Sequence, residues 1–106
     1  MNNNMRILIA DDDPVSTRVL AHQLEQWQHT VTTTTNGFDA LAAFKSETFD
    51  VIITDWMMPA MSGPELCAAI REEEESGELT SFIILLTSRG SSEDLALALK
   101  AGANDF

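Results

Sequence analysis

Basic residues are scarce in this chain. Six lysines and arginines stand against seventeen aspartates and glutamates over 106 residues, a formal net charge of −11. Nonspecific attachment to nucleic-acid phosphates or to an anionic membrane relies on clustered Lys and Arg, so neither partner is expected. Cysteine is almost missing: Cys67 stands alone, which excludes an intrachain disulfide or a multi-cysteine metal site and leaves a helix-packed thiol. His22 and His29 have no ligand pattern around them and read as ordinary surface or partly buried residues. No apolar run approaches the ~20 residues of a membrane-spanning helix. The start, Met1-Asn2-Asn3-Asn4-Met5-Arg6, does not resemble a secretory signal, so a soluble, cytoplasmic protein is expected. Linkers, repeats and low-complexity blocks are also lacking, and the length allows one domain with one core, residues 1–106.

What is present is an alternation of short apolar runs with helical patterns, the mark of β-α units building a mostly parallel sheet. A first strand is predicted at Arg6–Ala10, then a helix capped by Asp13 with Pro14 in its first turn, where a missing N–H costs little. Val15, Val19, Leu20, Leu24 and Trp27 repeat close to 3.6 residues and are predicted to be its inner stripe. The β-branched run Thr30–Thr34 is a second strand, and Asn36-Gly37 a turn into a second helix with Ala40, Leu41 and Phe44 inward. Val51–Thr54 is a third strand. Ser62 and Glu65 have capping-box spacing for a third helix burying Leu66, Ala69 and Ile70. Negative charge then crowds its C-terminal end at Glu72–Glu75, which the helix dipole disfavours, so a solvated, fraying turn ending at Ser76-Gly77 is expected. A fourth strand, Phe82–Leu86, is followed by a helix capped through Ser91 and Asp94, with Leu95, Ala98 and Leu99 inward and Gly102 at its end.

The chemistry sits where the strands stop. Asp11 and Asp12 close the first apolar run, Asp55 closes the third, and Thr87-Ser88 close the fourth. In a parallel sheet those ends share one rim. Three neighbouring carboxylates raise one another's pKa unless a positive charge compensates them, and a hard divalent cation such as Mg2+ does so with two carboxylates, a carbonyl and several waters. Asp12 and Asp55 are the first candidates, with Asp11 acting through water. A carboxylate beside Mg2+ can also attack phosphorus to give an acyl phosphate. Asp55 is the candidate nucleophile, because a loop follows it and leaves space, and Thr87 is placed to hydrogen-bond the added group.

Ile7-Leu8-Ile9-Ala10-Asp11-Asp12-Asp13, Asp55-Trp56-Met57-Met58-Pro59-Ala60-Met61-Ser62-Gly63, Leu86-Thr87-Ser88 and Ala101-Gly102-Ala103-Asn104-Asp105-Phe106 together resemble the response-regulator receiver domains of two-component signalling, over nearly the whole chain. The resemblance implies a flavodoxin-like, doubly wound parallel sheet of order 2-1-3-4-5. It implies that Asp55 takes a phosphoryl group from a phosphohistidine on a sensor histidine kinase or phosphotransfer protein. Mg2+ would be held by Asp12, Asp55 and the Met57 carbonyl, with Asp11 completing the acidic pair. Thr87 and Ser88 would sense the phosphoryl group and Phe106 would be the switch aromatic. Such a domain is a phosphoacceptor that relays a signal, not an enzyme.

Receivers continue past the equivalent of Phe106 into a fifth strand, a Lys-Pro pair and a fifth helix, and no counterpart of that lysine is present here. On this reading the chain is C-terminally truncated, the fourth strand becomes an edge, and a homodimer through it is expected. Two other readings stay open. One is a metal-binding interaction module that accepts no phosphate. The other is a phosphohydrolase of the haloacid dehalogenase type, since Asp11-Asp12-Asp13-Pro14-Val15 also fits that family's first motif and Asp13 would then be essential.

Overall fold

The computed structural model describes residues 4–74, 81–86 and 92–105. Four strands and four helices alternate: β1 (Arg6–Ala10), α1 (Pro14–Gln26), β2 (Thr30–Thr34), α2 (Gly37–Ser46), β3 (Val51–Asp55), α3 (Gly63–Glu74), β4 (Phe82–Leu86) and α4 (Ser92–Ala101). All strand pairs are parallel, in the order β2-β1-β3-β4. The first four positions of the predicted sheet order are therefore observed. Ala10 lies level with Thr34 on one side and with Thr54 on the other, and Thr54 lies level with Leu85. The register thus brings the carboxyl ends of all four strands to one rim.

Local chemistry sets the boundaries. Asp13 accepts a hydrogen bond from Val15 N–H (3.1 Å) and starts α1 with Pro14 inside it. Asn36 caps α2 by accepting from Asp39 N–H (2.8 Å). Ser62 and Glu65 form the reciprocal capping box of α3: Ser62 N–H donates to Glu65 Oε1 (3.0 Å) and Glu65 N–H to Ser62 Oγ (3.3 Å). Gly102, with φ +109°, closes α4 in the left-handed region that glycine occupies without strain.

Period-2 alternation divides the sheet into two faces. On one, Leu8, Ala10, Ile52, Ile83 and Leu85 are buried with Ala40, Leu66, Cys67, Ile70 and Ala98 from α2, α3 and α4. On the other, Ile7, Ile9 and Ile53 are buried while Leu20, Ala21, Leu24, Val31, Val51 and Ile84 are only partly covered.

Several expectations are corrected. The inner stripe of α1 runs through Thr17, Leu20, Ala21 and Leu24, whereas Val15, Val19 and Trp27 are exposed. Thr17 is accepted inside because its hydroxyl donates to the Asp13 carbonyl (2.9 Å). Leu99 is also exposed, since α4 turns Ala98 inward. At the end of α3, Glu72 and Glu73 are exposed as expected and the predicted turn from Glu75 to Gly77 lies outside the described residues, but Glu74 is not solvated. Glu74 accepts from Arg71 Nη1 (2.6 Å) and from Ser81 N–H (2.7 Å), and Arg71 also donates to the carbonyls of Ser81 and Gly102 and to Asn104 Oδ1. β4 is not a bare edge either: Leu85 N–H donates to the Asp105 carbonyl (3.0 Å) and Asn104 N–H to the Ile83 carbonyl (2.8 Å). The predicted Ser91–Asp94 cap and Leu95 side chain lie outside what the structure describes.

Candidate acidic site

The strand order reverses between β1 and β3, and ligands of open α/β sheets bind outside the carboxyl ends at such a switch point. Asp11 follows β1 and Asp55 ends β3. Alternation continues the row Ile7, Ile9 to Asp11 and the row Val51, Ile53 to Asp55, so the two carboxylates rise on the same side of the sheet. Asp12 comes from the turn into α1. One carboxylate oxygen from each of Asp11, Asp12 and Asp55 lies within 4.8 Å of the others. Asp11 is buried and Asp12 exposed, with Asp55 between them.

Backbone donors fix this arrangement. Asp13 N–H donates to Asp11 Oδ1 (2.9 Å). Trp56 N–H donates both to Asp55 Oδ1 (2.9 Å) and to the Leu86 carbonyl (3.0 Å), which ties the phosphoacceptor candidate to the end of β4. Burial raises the Asp55 pKa above its ordinary value, and the Asp11 carboxylate raises it further; the Trp56 and Met57 N–H groups oppose both. Oxygen donors, two of them partly withdrawn from water and repelling one another, suit a hard divalent cation.

Asp13 stands apart. Its carboxylate caps α1 and accepts from the Ser16 hydroxyl (2.7 Å), and these bonds lower its pKa. In this structure its role is that of a helix cap, and it is not one of the three clustered carboxylates.

The chain matches the family model of the response regulator receiver domain over residues 7–106. It belongs to that family. The transcriptional regulatory protein TcrA of Mycobacterium tuberculosis is 34% identical over 104 residues, which are 98% of this chain and 40% of that protein. The receiver therefore spans well under half the length of that relative. Among solved structures, the receiver domain of sensor histidine kinase PA1611 from Pseudomonas aeruginosa, with a magnesium ion coordinated in its active-site cleft, superposes with a TM-score of 0.83 at 28% identity, covering 96% of this chain and 82% of that one. The receiver domain of Ssk1 from Saccharomyces cerevisiae, solved with the phosphotransfer protein Ypd1, gives 0.91 at 25% identity, covering 96% and 76%.

Of the residues singled out in the receiver's sequence, Asp11, Asp12 and Asp55 are brought together, with the Met57 backbone against Asp55. Thr87, Ser88 and Phe106 lie outside the described residues. The two glycines of the rim carry a role that sequence reasoning missed. Gly63, the first residue of α3, donates its N–H to the Trp56 carbonyl (2.8 Å), and a Cβ there would run into the Asp55 carbonyl and into Leu85. Gly37 makes room in the same way for Met61. A glycine opening a helix was the available signal, though nothing in the sequence named the atoms it gives way to.

Proposed function

We propose that this receiver domain accepts a phosphoryl group on Asp55 from a phosphohistidine of a histidine kinase or phosphotransfer protein. The observation that carries the reading is the convergence of Asp11, Asp12 and a half-buried, pKa-raised Asp55 at the switch point of the sheet. Asp55 supplies the nucleophile: a P–O bond to its carboxylate forms as the P–N bond breaks, and the electron pair leaves on the imidazole nitrogen, which takes up a proton. Asp11, Asp12, Asp55 and the Met57 carbonyl would hold Mg2+, and when bound the cation offsets the repulsion between the attacking carboxylate and the phosphoryl oxygens. The Trp56 and Met57 N–H groups orient the Asp55 carboxylate. Thr87 and Ser88 follow β4 in sequence and are assigned the sensing of the added group, and Phe106 the inward turn that reports it. The magnesium of the PA1611 receiver and the Ypd1 partner of the Ssk1 receiver support the cofactor and partner classes. Transfer is stoichiometric, so the domain is a relay and not an enzyme, and its place of action is the cytoplasm.

Incubation with a small acyl-phosphate donor and Mg2+, followed by reductive trapping and peptide mapping, tests this. Label is expected at Asp55, lost in Asp55→Asn and strongly reduced in Asp12→Ala. Label at Asp13, or none in a chain that binds Mg2+, sinks the proposal. The second outcome would leave the reading as a metal-binding interaction module, which the exposed apolar side chains of Phe82 and Leu86 favour. The same exposed row makes self-association the proposed state of the isolated 106-residue chain.

A further inference from the structure

We propose that Gly37 and Met61 act together as positioning residues for the loop after Asp55, an inference that rests on Asp55 being the phosphoacceptor. The loop runs from Trp56 to Ser62. Backbone bonds fasten its ends, Trp56 N–H to the Leu86 carbonyl (3.0 Å) and Gly63 N–H to the Trp56 carbonyl (2.8 Å). Between them the chain reverses tightly: Ala60 is left-handed at φ +69°, and Met61 N–H donates to the Pro59 carbonyl (2.7 Å). Two side chains of the loop, Met58 and Met61, are partly buried against the core of the covered face, and Met61, next to the reversal, also lies on Gly37 in the first turn of α2.

The contact is close enough to be informative. A Cβ added at Gly37 would come 2.8 Å from Met61 Cβ and Sδ and 2.9 Å from Cγ. Rotating the thioether clears Sδ and Cγ but not Cβ, which moves only with the backbone. Either the loop or the start of α2 must therefore give way. The start of α2 is held by the Asn36 cap and by fully buried Ala40, so the loop is the softer partner. Its near end carries the Trp56 and Met57 N–H groups that bind the Asp55 carboxylate, and the Met57 carbonyl assigned to the cation. Gly37, distant in sequence from every acid of the site, thus sets where those groups stand. Alanine is intrinsically a better helix former than glycine, so a loss caused by Gly37→Ala points to the contact with Met61 and not to helix propensity.

The test titrates the full chain with Mg2+, read by Trp56 fluorescence in a Trp27→Phe background, and measures amide exchange of residues 56–62 in the metal-free chain. Gly37→Ala is expected to weaken Mg2+ binding by a factor of about five and to speed exchange in the loop. Met61→Ala should do both to a smaller extent, Met61→Leu should behave as the parent, and Gly37→Ala/Met61→Ala should be no worse than Gly37→Ala alone, because alanine keeps the Cβ that meets the new methyl and gives up only contacts the displaced loop has already lost. Parent-like Mg2+ affinity and exchange in Gly37→Ala, with or without a lowered melting temperature, overturn the inference; so does strict additivity of the two changes. If Gly37→Ala does not fold, equal Mg2+ affinity in Met61→Ala and Met61→Leu overturns it. A parent that binds Mg2+ but takes no label at Asp55 defeats the phosphoacceptor reading while these comparisons still decide the positioning role. A parent that binds no Mg2+ defeats both.

Discussion

The two faces of the sheet are built from the same residue types and end up in different states. Ile83 and Ile84 are neighbours on β4, yet Ile83 is fully buried beneath α3 and α4 while Ile84 is half covered, and Phe82 and Leu86 on its side remain 46% and 40% exposed. The face under α2, α3 and α4 closes because three helices bring small or branched side chains into it. The other is served among the described residues by α1 alone, which covers β1 and β2 and leaves the β4 end open. Burial stabilises only where a partner surface arrives, so identical apolar area contributes unequally on the two sides. The acidic site belongs to the open side, since Asp11 and Asp55 extend its rows.

The most direct way to break this comparison is to truncate the two isoleucines in turn. Ile83→Ala should cost about 3–5 kcal/mol of unfolding free energy, because its cavity is walled on every side, and Ile84→Ala about 1 kcal/mol, because water or a neighbour can fill the space. Urea unfolding at submicromolar concentration measures both. Equal losses would mean that the open face is covered in solution by something other than α1.

How much of this was legible depended on whether the cause was local. All four strands and the acid cluster could be read, because β-branched and apolar runs end in Asp11-Asp12 and Asp55 whatever surrounds them. The caps at Asp13, Asn36 and Ser62 were readable for the same reason: each bonds within three residues of itself. The inward face of α1 was not, since it depends on Thr17 satisfying its hydroxyl on the helix backbone and so passing as apolar. Nor was the Arg71–Glu74 pair, whose other partners, Ser81, Gly102 and Asn104, are supplied by distant turns. In β4, apolar residues on both faces predicted cover on both sides, and the pattern could not say what would provide it.

The open row sharpens the comparison at the level of assembly. The 106-residue chain is expected to self-associate at micromolar concentration through Phe82 and Ile84, more readily as salt screens its net charge of −11. Phe82→Glu should return it to the monomer without touching the covered face. Leu86 is the wrong residue for this test, because it pairs in register with Asp55 and a charge there would disturb the acidic site. Light scattering across a salt series decides the matter, and a parent that stays monomeric throughout would remove self-association from the account.

The smallest expected effect comes from the carboxylate that crowns the open face. Burial and then the Asp11 charge raise the Asp55 pKa, so in the window above its ordinary value of 3.8 the folded chain binds more protons than the unfolded one. Stability contributed by this group is therefore present at low pH and lost as pH rises through the raised pKa. At neutral pH the ionised Asp55 opposes folding, and Asp55→Asn should raise the melting temperature of the metal-free chain by a few degrees. The gap between the two proteins should shrink as pH falls through that window and reach its full size once Asp55 is ionised in both states. Mg2+ should then reverse the order at neutral pH, stabilising the parent by binding only its folded state and leaving Asp55→Asn nearly unmoved. Thermal melts from pH 4 to 8, in chelator and in excess Mg2+, test the sign directly. A parent more stable than Asp55→Asn in chelator at neutral pH would show that the three carboxylates do not repel one another as their geometry requires.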